Sequence, residues 1–217
     1  SKVRGNTLVW KDGTEMPLDD GKGQKPFQKL LESPDLEDMF SMPYPQGIPS
    51  VPEFNQDPGR VRFLPFFEKM YGRCRKNEVK DHLVSISWLK SKGGGTIQVT
   101  RLNAIADKVS ALSEELEKLP SSYNRYLIPP EGGYFCRSIE GTKHLSAHAF
   151  GIAIDIGVRH SDYWRWQVSS KTAPLVWHNS IPYEIVKIFE KHGFIWGGRW
   201  YHFDTMHFEY RPELLIK

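Results

Sequence analysis

The stretch Ser146-Ala147-His148-Ala149-Phe150-Gly151-Ile152-Ala153-Ile154-Asp155-Ile156 decides how the chain is read. From Gly151 onward it alternates, which is the period of a β-strand. Ile152, Ile154 and Ile156 point to one face, suited to a core. Gly151, Ala153 and Asp155 point to the other. Two very small side chains leave space there, and the carboxylate that follows needs a partner. A metal ion, an arginine or backbone donors would each serve.

The second informative stretch is Trp200-Tyr201-His202-Phe203-Asp204-Thr205-Met206-His207-Phe208-Glu209-Tyr210. It sets Asp204 three residues before His207. In a turn, such a pair converges on one point, as a metal-bound imidazole beside a proton-handling carboxylate requires. His148, Asp155 and His207 together supply two nitrogens and one oxygen. Zinc accepts that set, and a catalytic zinc keeps a fourth position for water. Zn²⁺ lowers the pKa of such a water to about 7, and Asp204 would then pass its proton to a leaving amine. The reaction implied is amide hydrolysis. Spacing alone leaves the alternative open: eight histidines in 217 residues produce chance pairs, and a lone His148 or His207 can be a hydrogen-bonded structural residue.

Around these stretches the periodicity predicts a mixed α and β chain. Val84–Trp88 and Thr96–Thr100 alternate on either side of Lys92-Gly93-Gly94-Gly95, a β-hairpin pattern. Leu102, Ile105, Ala106, Val109, Leu112, Leu116 and Leu119 recur at helical spacing, between a capping Thr100 and a terminating Pro120. That stripe is read as one helix face packed on a core. A second helix is expected from Pro182 to about His192, closed by Gly193, and a short one within Phe66–Tyr71.

Eight of the fifteen prolines fall in the first 60 residues. Proline fixes φ and removes a donor, so this stretch cannot be mostly regular structure. It is read as a proline-rich arm (1–60) packed on a domain spanning 61–217, with one hairpin where Thr7-Leu8-Val9-Trp10 meets Asp12-Gly13. Arg60–Lys80 holds seven basic and two acidic residues. It is either a surface for anionic polymer or membrane, or a solvated face.

Composition narrows the class. Hydrophobic residues make up 39%, charged residues 25% and aromatics 13%, a globular profile. No apolar run approaches the ~18 residues of a membrane span. The net charge of +3 is too small to argue for nucleic acid. Cys74 and Cys136 allow one bridge or two separate buried thiols. The chain begins at Ser1 with neither an initiator Met nor a signal-peptide pattern, which says little about location.

At the two motif stretches the sequence resembles the VanY-like D-alanyl-D-alanine carboxypeptidases, zinc peptidases of bacterial cell-wall metabolism. Their pattern S-x-H-x-x-G-x-A-x-D stands complete in Ser146, His148, Gly151, Ala153 and Asp155. Their second pattern, an acid three residues before a histidine, stands in Asp204, His207, Phe208 and Glu209. The resemblance covers roughly 128–212. It implies Zn²⁺ held by His148, Asp155 and His207, with Asp204 as catalytic base. It also implies that Arg137 steadies the oxyanion and contacts substrate, and that Ser146 holds substrate or the ligand loop. A structural salt bridge for Arg137 and a turn hydrogen bond for Ser146 are the competing readings. His144 and His202 occupy no family position. Glu209 would orient His207 or form a surface salt bridge. Trp196, Gly197, Gly198, Trp200 and Tyr201 would wall the cleft or fill the core, and Ser161–Trp164 would rim it or cap a helix.

The fold implied is α+β, a small antiparallel sheet flanked by helices, of the Hedgehog/D,D-peptidase type. The activity implied is hydrolysis of a peptidoglycan stem peptide, in the periplasm or elsewhere in the cell envelope. D,D-carboxypeptidase action and L-Ala-D-Glu-type endopeptidase action both remain open, as does a binding module that has lost turnover. The last would normally lose its base first, and Asp204 is present.

Overall fold

The computed structural model describes residues 1–167 and 175–216. Near the N-terminus lies an antiparallel meander of β1 (Lys2–Arg4), β2 (Thr7–Val9) and β3 (Glu15–Pro17). The expected hairpin is its second half, closed where Trp10 N–H donates to Thr14 O and Gly13 N–H to Trp10 O. After the short helix α1 (Phe27–Glu32) the chain is largely irregular, as its prolines require. It is nonetheless tied to the rest. Leu36 and Met39 enter the main core. The Tyr44 hydroxyl donates to Glu190 Oε1 (2.6 Å) and accepts from Trp196 N–H (2.9 Å).

Helix α2 (Leu64–Tyr71) turns Phe67 and Tyr71 inward. Just beyond it, Cys74 is disulfide-bonded to Cys136, so the bridge is the reading that holds. β4 (Leu83–Ser87) and β5 (Thr96–Thr100) form the predicted hairpin, with Ser87 opposite Thr96.

Helix α3 (Ile105–Leu116) is shorter than its apolar pattern suggested. Asn103 and Ala104 sit at φ 53° and 58°, and a left-handed pair cannot continue an α-helix. The chain is held in this bend by Arg101 N–H to His82 O (2.8 Å) and Leu102 N–H to Thr100 Oγ1 (3.3 Å). Thr100 therefore accepts ahead of the bend and does not cap the helix as expected, because the helix proper begins at Ile105, after Ala104, with no side-chain cap. Its buried face of Ile105, Ala106, Val109, Leu112 and Leu116 is core.

The rest of the chain runs through α4 (Asn124–Leu127), β6 (Pro130–Gly132), β7 (Ala153–Ile156), α5 (Trp164–Gln167), α6 (Tyr183–Lys191), β8 (Phe194–Trp196) and β9 (His207–Tyr210). The strands form an antiparallel sheet in the order β6-β7-β9-β8. Helix α6 begins after Pro182 and ends at Gly193, where φ is +92°. Its Ile185, Val186 and Phe189 cover the sheet, and Phe189 stacks on Phe208 of β9 at 3.8 Å between ring centroids. Ile152, Ile154 and Ile156 are all buried, so the apolar side of the motif strand lies in the core as its alternation implied. The architecture is α+β with small antiparallel sheets.

One register positions everything that follows: β7 pairs with β9 so that Asp155 lies opposite His207 and Ala153 opposite Glu209. Directly paired residues on one face of a sheet are in side-chain contact. The two motif stretches, about 50 residues apart in sequence, thereby meet at one end of the sheet.

Candidate metal centre

His148 arrives from a tight turn, Ala147–Phe150, that precedes β7. Gly151 closes the turn at φ +68°, and a Cβ there would lie 2.9 Å from Thr100 N. The motif glycine thus answers both a left-handed backbone and a close approach to β5. Gly133 does similar work on the far side. A Cβ on it would lie 2.3 Å from Gln98 O, and its own carbonyl accepts a hydrogen bond from His148 Nδ1 at 2.7 Å.

Three donor atoms converge. His148 Nε2 lies 3.1 Å from Asp155 Oδ1, His207 Nδ1 lies 3.0 Å from the same oxygen, and the two nitrogens are 3.3 Å apart. The group can hold a metal ion. Each imidazole spends its other nitrogen elsewhere: His148 Nδ1 on Gly133 O, and His207 Nε2 on Glu209 Oε2 at 3.1 Å. Such outer bonds fix ring orientation and aim the remaining nitrogen inward.

Glu209 is fully buried, so the surface salt bridge is excluded for it. Its carboxylate also pairs with Arg62 and, at 3.2 Å, with Arg211 Nη1. Burial would raise its pKa, but the Arg62 charge and the His207 hydrogen bond outweigh that and hold it far below the usual carboxylate range. Asp155 behaves likewise: burial opposes its charge, and the two histidines more than compensate. Burial alone would lower His207, yet its bonds to Asp155 and Glu209 push it up to about 10. Metal binding at Nδ1 must therefore release a proton.

A cavity of about 260 Å³ opens over this centre, with Asp155, His207, Asp204, Ser146 and Arg137 on its wall. Asp204 is held by its backbone, with N–H to Gly197 O (3.0 Å) and O accepting from His207 N–H (3.1 Å). Its Oδ1 is enclosed with no hydrogen-bond partner among the described residues. Burial raises its pKa to about 6, helped by the Asp155 charge and opposed by His207 and Arg60. A carboxyl at that level can both take and return a proton near neutrality.

Arg137 is exposed and makes no ion pair among the described residues, so the salt-bridge reading fails for it. Its carbonyl accepts from Ser146 N–H at 3.1 Å, which sets the two residues side by side on the wall. Ser146 sits where a turn cap would, yet its side chain makes no capping bond. The aromatic residues divide. Trp196 is core, with Nε1–H on Thr205 O (2.8 Å), whereas Trp200, Tyr163 and Trp164 line the cavity. Of Ser161–Trp164, Tyr163 and Trp164 rim it, held there as 162–164 pair with 203–205. His144 lies away from the donor cluster, and His202 lines the cavity with its Nδ1 on buried Asp57 at 2.7 Å.

Sequence reasoning missed the share of the N-terminal stretch in this wall. Arg60 and Arg62 both line the cavity, a place that the sequence of their segment, suggesting an anionic-polymer surface or a solvated face, does not indicate. The one signal available was their place just after the Asp57-Pro58-Gly59 turn.

A family model described as D-alanyl-D-alanine carboxypeptidase matches residues 140–210. That span contains Ser146, His148, Asp155, Asp204 and His207, and leaves Arg137 just outside. No curated protein matches the chain.

Proposed function

Because residues 140–210 match the D-alanyl-D-alanine carboxypeptidase family, we propose that the protein is a zinc-dependent peptidase that removes the terminal residue from peptidoglycan stem peptides. The observation that carries the reading is the donor triangle of 3.0, 3.1 and 3.3 Å, with both outward imidazole nitrogens already engaged. Tetrahedral zinc with bonds of about 2.0 Å sets its ligands about 3.3 Å apart, so the donors are spaced and aimed to fit that ion. His148 Nε2, Asp155 Oδ1 and His207 Nδ1 would hold it. Zinc there supplies Lewis-acid polarisation of an amide carbonyl and an acidified water.

The chain's own residues do the rest. Asp204 accepts a proton at the carboxylate oxygen that faces the cavity and returns it to the departing amine. Arg137 offers a permanent charge to the carbonyl oxygen as negative charge develops. The Ser146 hydroxyl, unspent on the turn, bonds the peptide. The Cys74–Cys136 disulfide supports an oxidising setting such as the periplasm or cell exterior.

The test is incubation with defined muropeptides, with and without zinc, and mass analysis of the products. Release of one terminal alanine only in the presence of zinc is the expected result. Asp204→Ala should retain one zinc per chain and lose turnover by about 10²-fold or more. A fully active Asp204→Ala would refute its role.

A further inference from the structure

The N-terminal stretch adds two arginines to the cavity wall. Arg62 pairs through Nη2 with the buried Glu209 carboxylate, and its Nε is enclosed without a hydrogen-bond partner among the described residues. Arg60 is differently placed. Its Nη1 is anchored on Asp57 Oδ2 at 3.1 Å and lies 3.5 Å from His202 O. Its guanidinium carbon lies 5.7 Å from the centroid of the Trp200 ring. Asp57 is itself fully buried and fixed by His202, through the backbone N–H at 2.9 Å and Nδ1 at 2.7 Å. Nε and Nη2 of Arg60 have no protein partner among the described residues. The side chain is only 16% exposed, and it lies on the wall it shares with Asp204 and His207.

An arginine held by one nitrogen and an aromatic face, with its other donors unspent, is a pre-organised receptor for a planar anion. Its rotamer is already fixed, so binding costs little further side-chain entropy. Arg137, exposed and without a fixed partner, lacks that anchoring. Resting on the peptidase reading above, we propose that Arg60, positioned by Asp57, binds the free α-carboxylate of the peptide's terminal residue and so makes the enzyme act at the C-terminal bond. Selection of an end over an interior bond then comes from a residue outside the 140–210 match.

The test compares diacetyl-Lys-D-Ala-D-Ala with its C-terminal amide on the zinc-loaded protein. The readout is the ratio of the two kcat/KM values, acid over amide. Both peptides are read on one preparation, so any misfolded fraction cancels. Arg60→Gln should lower the ratio roughly tenfold to hundredfold, the size of a lost charge-assisted hydrogen bond. A ratio unchanged within about twofold would overturn the assignment. If Arg60→Gln does not fold, Arg60→Met, which keeps the stem over Trp200, is read the same way. If the wild-type protein cleaves neither peptide, the peptidase reading is what has failed, and calorimetric titration of both peptides decides on Arg60 alone. An acid-over-amide preference that disappears in Arg60→Met supports the assignment; equal binding of the two peptides, or none, overturns it.

Discussion

Glu209→Gln isolates what the buried acid behind His207 contributes. The change is nearly isosteric, so packing is preserved and the charge alone is removed. Two consequences follow from the contacts. Gln still offers an oxygen to His207 Nε2, 3.1 Å away, but a neutral acceptor makes the ring a weaker ligand. Loss of an outer-shell partner of this type costs about 10–100-fold in metal affinity. In addition, Arg62, largely buried and paired with Glu209, loses its counter-charge, whereas Arg211 keeps its pair with Glu213. An uncompensated buried charge costs about 3–5 kcal/mol. The assay is competition for zinc against a chromogenic chelator on protein that circular dichroism shows to be folded, with urea unfolding measured separately on the zinc-free form. Both effects should appear: weaker zinc binding in the folded variant, and lower stability without zinc. Zinc affinity unchanged within about threefold would refute the orienting role of Glu209, whatever happened to stability.

Other predictions follow from single contacts. Asp57 is fully buried; its pKa, raised by burial, is brought below the usual value by the His202 hydrogen bond and the Arg60 charge. Its contribution is therefore fully present above the unfolded value of about 3.9 and is lost as pH falls through the lower folded value. Urea midpoints for wild type and Asp57→Asn should differ at pH 7 and converge progressively as pH falls below about 3.9; a gap independent of pH would contradict this. Gly133→Ala would drive a methyl to 2.3 Å from Gln98 O, so it should lower the melting temperature by several degrees and weaken zinc binding by displacing the acceptor of His148. An unchanged melting temperature would show that the strand yields without cost.

Much of the site was legible in the sequence because its information is local. Alternation from Gly151 to Ile156 gives a strand with one apolar face, and antiparallel pairing of two such strands brings Asp155 beside His207. The β4–β5 hairpin and helix α6 are equally local, written in alternation, the glycine run, Pro182 and Gly193. Three features were not legible, each for a long-range reason. Helix α3 starts at Ile105 because contacts to His82 and Thr100 hold the preceding bend, which periodicity cannot register. The pairing of Cys74 with Cys136 joins residues 62 positions apart. Above all, Asp57, Arg60 and Arg62 reach the site across 142 to 147 residues. A short irregular segment carries no period to say which face it presents, so two of its arginines looked like surface charge.

On the proposed function, His148, Asp155 and His207 bind a single zinc and leave it one position for solvent. X-ray absorption at the zinc edge, on protein loaded with one equivalent and desalted, addresses it most directly. The expected result is retained zinc in a four-coordinate shell of nitrogen and oxygen at about 2.0 Å, with the outer-ring scattering of two histidines. Zinc lost on desalting, or held in a six-coordinate all-oxygen shell, would contradict it.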